Sequence, residues 1–318
     1  MNTKQRIILH EVGPRDGLQM EKAVVPTEKK EAWLRALMES GADIIQVGSF
    51  VHPEKVPQMA DTDELFRRLT ADNTCVRLRR MAFKTAKKPP AILSGLALNE
   101  KGLERGLACG VGLFCMGASA SETHSRKNTG MGTDEAVTRI IGAAKAALAA
   151  GKKVQVSVQS AFGCGFEGPL PEERVLKMAR AYVEAGLRNI SLADTAGHAH
   201  PAQVERLFGA VLALDPEIEC ACHFHNTYGL GMANMFAAMR AGVTSFETSF
   251  AGLGGCPFTK VAAGNVATED FVHVLQLEGL RKEVSLDRLL TVARDAAAHF
   301  GRDMPGCVYK TGAIRGRG

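Results

Sequence analysis

The chain moves between two hydrophobic rhythms. Short apolar runs rich in β-branched residues, the first being RIILHEV, alternate with stretches whose apolar positions recur at helical spacing. In PTEKKEAWLRALMESG, for example, Trp33, Leu34, Leu37 and Met38 fall at that spacing and Gly41 supplies the stop. The same pairing recurs through the strand segments DIIQVGSF, AILSGLAL, VGLFCMGA, KVQVSVQS, NISLAD, ECACHFHN and SFETSFAG. Helical segments separate them, among them DTDELFRRLT, TDEAVTRIIGAAKAALAAG, PEERVLKMARAYVEAG and LGMANMFAAMRAG. Every predicted strand but the last is followed directly by a helix.

Strands buried on both faces and joined by helices must run parallel, because each crossover returns the chain to the same end. Eight such units over roughly 250 residues fit a closed barrel. An open doubly wound sheet usually carries G-x-G-x-x-G after its first strand, and here that strand ends in GPRDGLQ. The expectation is a (β/α)₈ TIM barrel over residues 1–270. Residues 271–318 form a C-terminal helical extension on its outside, with two further helices and a frayed tail.

Composition narrows the classes. The 318 residues are 46% apolar and 23% charged, as in a folded globular enzyme. A net charge of +5 is too mild to mark a nucleic-acid binder. No apolar run reaches the ~18 to 20 residues of a spanning helix, and the start, MNTKQRIILHEVG, does not read as a secretion signal. Eight scattered cysteines read as reduced thiols, so the expected setting is cytoplasmic. Six Lys/Arg between residues 77 and 88 precede the third strand. They read as a solvated insertion, with an anion clamp as the sharper alternative.

Strand parity locates the chemistry. In CACHFHN, Ala221, His223 and His225 share one face, and Cys220, Cys222 and Phe224 share the other. Phe224 suits the layer between barrel and helices, so both imidazoles face the barrel axis at the C-terminal end of strand seven. Two inward histidines in this position need a partner for their lone pairs, and a divalent metal is the simplest. Asp16, at the tip of strand one, and Asn265, after strand eight, are the expected further ligands. Two imidazoles with one carboxylate and one amide oxygen suit Mg²⁺ or Mn²⁺, while ligand type alone does not exclude zinc. Arg15, beside Asp16, offers a fixed positive charge for a developing enolate oxygen. In AGLGGCPFTK, three glycines precede Cys256, which predicts a loop able to carry a thiol over a substrate.

Five stretches, EVGPRDGLQMEK, SFVHPEKVPQMAD, HFHNTYG, AGLGGCPF and GNVATED, occur in this order from about residue 5 to 300. Together they resemble the 3-hydroxy-3-methylglutaryl-CoA lyase family of the DRE-TIM metallolyases. The resemblance implies retro-Claisen cleavage of a 3-hydroxyacyl-CoA, with Asp16, His223, His225 and Asn265 on the cation. It gives Arg15 the thioester carbonyl, Cys256 a proton transfer to the enolate, and His223 a part in moving the hydroxyl proton. It implies substrate and coenzyme A contacts at Gln19, Lys22, Gln46, Ser49 and Thr195, and leaves a homodimer open. There are two departures: Gln46 stands where these lyases carry glutamate, and Asn226 where they carry aspartate. Both swaps remove a carboxylate and widen the expected substrates to citramalyl- or methylmalyl-type thioesters and longer branched 3-hydroxyglutaryl-CoA. The rival expectations are a condensing synthase of the same superfamily and a catalytically silent binding barrel.

Overall fold

The computed structural model describes residues 6–71, 90–255 and 264–314. Eight parallel strands close on themselves: β1 (Ile8–Glu11), β2 (Ile44–Ser49), β3 (Ile92–Leu96), β4 (Leu113–Ser119), β5 (Lys153–Gln159), β6 (Asn189–Asp194), β7 (Glu219–Phe224) and β8 (Ser245–Thr248). The ring is completed by β1 pairing with β8, with His10 opposite Glu247. Around it lie α1 (Thr27–Ser40), α2 (Thr62–Ala71), α3 (Glu100–Cys109), α4 (Glu122–Thr129), α5 (Thr133–Ala149), α6 (Glu172–Glu184), α7 (Pro201–Leu212), α8 (Gly231–Arg240) and α9 (Thr268–Leu277). Two more helices follow, α10 (Leu286–Phe300) and α11 (Val308–Thr311). No helix among the described residues is long and apolar enough to cross a membrane.

Parity builds two environments. On β5, Val154, Val156 and Val158 enter the core between barrel and helices, while Gln155, Ser157 and Gln159 line the interior cavity. Cys220, Cys222 and Phe224 likewise join the outer core, with Cys222 Sγ 3.7 Å from Met235 Sδ on α8. TIM-barrel interiors are usually filled by branched apolar side chains. Here His10, Gln46, Ser94, Gln155, Ser191 and Glu247 are buried instead.

Three local features depart from the sequence reading. The turn at Gly13–Gly17 is a single wide helical turn in which the Val12 carbonyl accepts from both Arg15 N (3.0 Å) and Asp16 N (2.8 Å). Helix α4 has no counterpart in the apolar pattern, because ETHSRKNT has no apolar period to reveal it. Its start is fixed by Ser121, whose hydroxyl accepts from His124 N. Residue 270 falls inside α9, the barrel's eighth helix, and α10 shares the barrel's core through Leu289, Val292 and Ala293. Trp33 on α1 seals that contact, with its ring 5.5 Å from those of Phe250 and His299 and Nε1 donating to Asp295 at 2.6 Å. The basic segment 77–88 lies outside the described residues.

Two buried carboxyl groups brace the turn after β8, one from the strand-one tip and one from α9. Glu11 accepts from Gly13 N (2.7 Å), Phe250 N (3.0 Å) and Thr268 Oγ1 (2.6 Å). Glu269 accepts from Ala251 N at 3.0 Å. Burial pushes Glu11 up to about 7 against the pull of its hydrogen bonds. Burial, with the neighbouring Asp270 and Glu11 charges, pushes Glu269 up to about 8. Between its ordinary 4.5 and about 8, Glu269 keeps its proton in the folded chain and loses it in the unfolded one. Its contribution to stability is therefore complete at low pH and lost as the pH climbs through that window. Glu269→Gln, which cannot ionise, should show a shallower fall of the urea midpoint across the window than the parent protein. Matching slopes would remove the assignment.

Candidate active site

The wide turn after β1, the end of β7 and the residues entering α9 bring four side chains to the C-terminal mouth of the barrel. Asp16 Oδ2 lies 3.8 Å from His223 Nε2 and 3.7 Å from His225 Nε2. Among the described residues these three form a group that could hold a metal ion, with one ligand atom from each within 4.8 Å of the others. Asn265 joins them, its Nδ2 donating to Asp16 Oδ2 at 2.8 Å and to the Leu253 carbonyl at 3.0 Å. The backbone before the cysteine segment passes so close that a Cβ on Gly254, whose φ is +118°, would sit 2.5 Å from Asn265 Nδ2. Only glycine fits that position.

Two lone pairs argue for a cation. His225 Nε2 and Asn265 Oδ1 are buried with no hydrogen-bond partner, an arrangement that costs free energy unless something else occupies them. The donors available are two imidazoles, one carboxylate and one amide oxygen, which fit a divalent ion. Charge points the same way. Burial favours protonation of Asp16, but the Arg15 guanidinium and the two imidazoles outweigh it and hold the carboxyl well below its ordinary range. Burial lowers the His225 pKa, yet Asp16 outweighs it and raises the value overall.

The surroundings set the orientation of each group. Arg15 donates through Nε to Gln46 Oε1 and through Nη1 to Asp16 Oδ1, the latter at 2.6 Å. His225 Nδ1 lies 2.9 Å from the Asp194 carbonyl, and His223 Nδ1 lies 3.0 Å from Glu247 Oε2. Both partners can only accept, so each Nδ1 must carry the proton and each Nε2 must present its lone pair to the cluster. The Asp194 carboxyl is spent on the loop, accepting from His198 N (2.8 Å) and Ala199 N (3.1 Å), and burial pushes it up to about 6.

Below and beside the cluster is a cavity of about 490 Å³, walled by Arg15, Asp16, Gln46, His223, His225 and Glu247 among others. Of the expected substrate contacts, Gln19, Gln46 and Thr195 line it. Gln19 Oε1 is buried without a partner, and Thr195 Oγ1 accepts from Ser160 N at 2.9 Å. Ser49 and Lys22 are not among the cavity's lining residues. The pairing of β2 with β3 shifts between Gln46 and Gly48, so Gly48 faces Thr62 on the outside and Ser49 returns to the inner face, opposite Leu96. The Ser49 Oγ is buried with no hydrogen-bond partner, while its backbone N–H and C=O both meet Thr62 Oγ1 at 3.2 Å. Lys22 stands exposed on the loop after the wide turn. Asn226, one of the two departures, accepts from Gly231 N at 2.9 Å and serves the loop entering α8, not the cluster. Cys256 lies outside the described residues, though Gly255 before it lines the cavity.

Glu247, His10 and Gln155 are the functional-site neighbours that sequence reasoning missed. The clue was available in SFETSF: Phe246 faces the outer core, so Glu247 must face the axis. Burial would raise its pKa, but the hydrogen bond from His223 and the facing His10, His223 and Arg15 bring it down to about 2.

Comparison with known proteins agrees with this fold. The HMGL-like family model matches residues 6–295. A hydroxymethylglutaryl-CoA lyase of Bacillus subtilis is 35% identical over 95% of this chain and 95% of its own length. An (R)-citramalyl-CoA lyase of Chloroflexus aurantiacus is 34% identical over 98% of this chain and 96% of its own. The structure of an HMG-CoA lyase from Acinetobacter baumannii in complex with coenzyme A and 3-methylmalate superimposes with a TM-score of 0.87 at 34% identity, covering 98% of this chain and 96% of that one. With the match extending through every strand of the barrel and through the residues of the cluster, the chain belongs to the HMGL-like family.

Proposed function

We propose that this protein is a divalent-metal-dependent 3-hydroxyacyl-CoA lyase that cleaves a carbon–carbon bond by a retro-Claisen reaction. The convergence of Asp16, His223, His225 and Asn265 beside the Arg15 guanidinium carries the reading. The proposed ion is Mg²⁺ or Mn²⁺, with zinc as the competing outcome. When bound, it supplies Lewis-acid polarisation of the substrate's hydroxyl and acid oxygens.

The chain's own residues do the rest. His223 is proposed to take part in moving the C3 hydroxyl proton. As that proton leaves, a C3 carbonyl forms, the C2–C3 bond breaks, and its electron pair passes to C2 and the thioester as an enolate. Arg15 stands where the enolate oxygen gathers charge. Cys256 is proposed to donate the proton that C2 takes up, releasing an acyl-CoA and an oxo acid.

Hydroxymethylglutaryl-CoA, giving acetoacetate and acetyl-CoA, is the first candidate. The citramalyl-CoA lyase relative and a 34%-identical Pseudomonas aeruginosa 3-hydroxy-3-isohexenylglutaryl-CoA/hydroxymethylglutaryl-CoA lyase support wider candidates. Gln46 is the residue through which this chain's preference is proposed to differ, since it touches Arg15 without adding negative charge. The six described cysteines are all unpaired, which supports a reducing, cytoplasmic setting. The test is a mass-spectrometric screen of 3-hydroxyacyl-CoA thioesters with Mg²⁺ or Mn²⁺. One thioester should disappear with stoichiometric acyl-CoA and oxo acid. Failure of every thioester, or thiol release from acetyl-CoA with 2-oxo acids instead, would overturn the lyase reading.

A further inference from the structure

The two imidazoles of the cluster are held differently. His225 leans on a neutral backbone carbonyl, whereas His223 leans on the buried carboxylate of Glu247. Glu247 occupies the middle of a ladder: on β8 it stands opposite His10 of β1 on one side and His223 of β7 on the other. Its second oxygen is fixed from across the barrel by Gln155 Nε2 at 2.7 Å and approached by Ser191 Oγ at 3.4 Å, with His10 Nδ1 3.8 Å away. His10 is anchored in turn by a 2.9 Å contact between its Nε2 and Ser94 Oγ. Side chains from four other strands, β1, β3, β5 and β6, therefore surround the contact between one carboxylate and one imidazole nitrogen.

We propose that Glu247 is the positioning residue of His223, holding this imidazole with a carboxylate where His225 has only a backbone carbonyl. A carboxylate behind Nδ1–H fixes both the tautomer and the ring plane and strengthens Nε2 as a metal donor. A backbone carbonyl fixes the tautomer but brings no charge, so His225 lacks that support. Gln155 and Ser191 occupy Glu247 Oε1, which leaves Oε2 for His223. The inference rests on the metal-lyase reading and adds the residue that holds one of its ligands in place.

The first measurement needs no variant. In ¹⁵N-histidine-labelled, metal-free protein at mildly alkaline pH, two-bond ¹H–¹⁵N spectra should show His223 and His225 both as the Nδ1–H tautomer. Glu247→Leu removes both carboxylate oxygens from that position at similar side-chain volume. In that variant His223 should move towards Nε2–H while His225 stays unchanged. Calorimetric Mn²⁺ affinity should weaken by roughly 10- to 100-fold, the range for losing such a support. A parent protein whose His223 carries its proton on Nε2 would overturn the proposal even if the variant did not fold, as would a folded Glu247→Leu with unchanged Mn²⁺ affinity. If the parent bound no Mn²⁺ at all, the metal-lyase reading would fall, while the tautomer spectra would still decide whether Glu247 positions His223.

Discussion

Asp16→Asn is expected to empty the site of divalent metal and to lower kcat/KM by about three orders of magnitude. The substitution keeps the shape and removes one charge, so the loss is electrostatic. Asp16 lies within 3.8 Å of His223 Nε2 and 3.7 Å of His225 Nε2 and receives hydrogen bonds from both Arg15 and Asn265. With an amide there, a dication would meet four neutral donors and a nearby guanidinium, with no anionic ligand among them. Lewis-acid stabilisation of charge is worth several kcal/mol, and at 1.36 kcal/mol per factor of ten that loss reaches about a thousandfold. The same change removes the influence that raises His225, so this imidazole should stay neutral to lower pH than in the parent. Elemental analysis after dialysis, read beside a thermal melt, separates metal loss from unfolding. A folded Asp16→Asn that kept its metal and its turnover would show that the carboxylate is no ligand.

How much of this was legible beforehand depended on whether a signal repeats. The barrel was, because alternation of strand and helix recurs around the whole ring and each repeat supports the others. The direction of His223 and His225 was too, because Phe224 between them can only face the apolar layer. The turn that presents Arg15 and Asp16 was not legible in shape: its geometry depends on Glu11, Phe250 and Thr268, which lie far apart in sequence. Glu247 was missed although its parity was readable, since a lone carboxylate in a strand gains meaning only from the His10, Gln155 and His223 that surround it. Ser49 shows the limit of parity. Counted from Gln46 it would face outward, but the irregular pairing of β2 with β3 returns it to the inner face.

Cys256→Ser is expected to leave metal content unchanged while lowering kcat by roughly two to four orders of magnitude, the scale of a positioned proton donor. The case is built from chemistry and from where the flanking chain stands. Immediately before Cys256, Gly255 lines the cavity; a few residues beyond it, Asn265 hydrogen-bonds Asp16 Oδ2 at 2.8 Å. Both ends of the cysteine segment are therefore fixed at the cluster, and Gly254 cannot bear a side chain without striking Asn265. A thiol titrates near 8.5 and gives up a proton far more readily than a serine hydroxyl, so the isosteric exchange should slow protonation of C2 without disturbing a ligand set that contains no sulfur. Mn²⁺ affinity should stay at the parent value, which distinguishes this variant from Asp16→Asn and from Glu247→Leu. Thioester KM should move far less than kcat, because the lost interaction belongs to the transition state and not to ground-state binding. Full turnover in Cys256→Ser would transfer the donor role to another acid of the cavity wall.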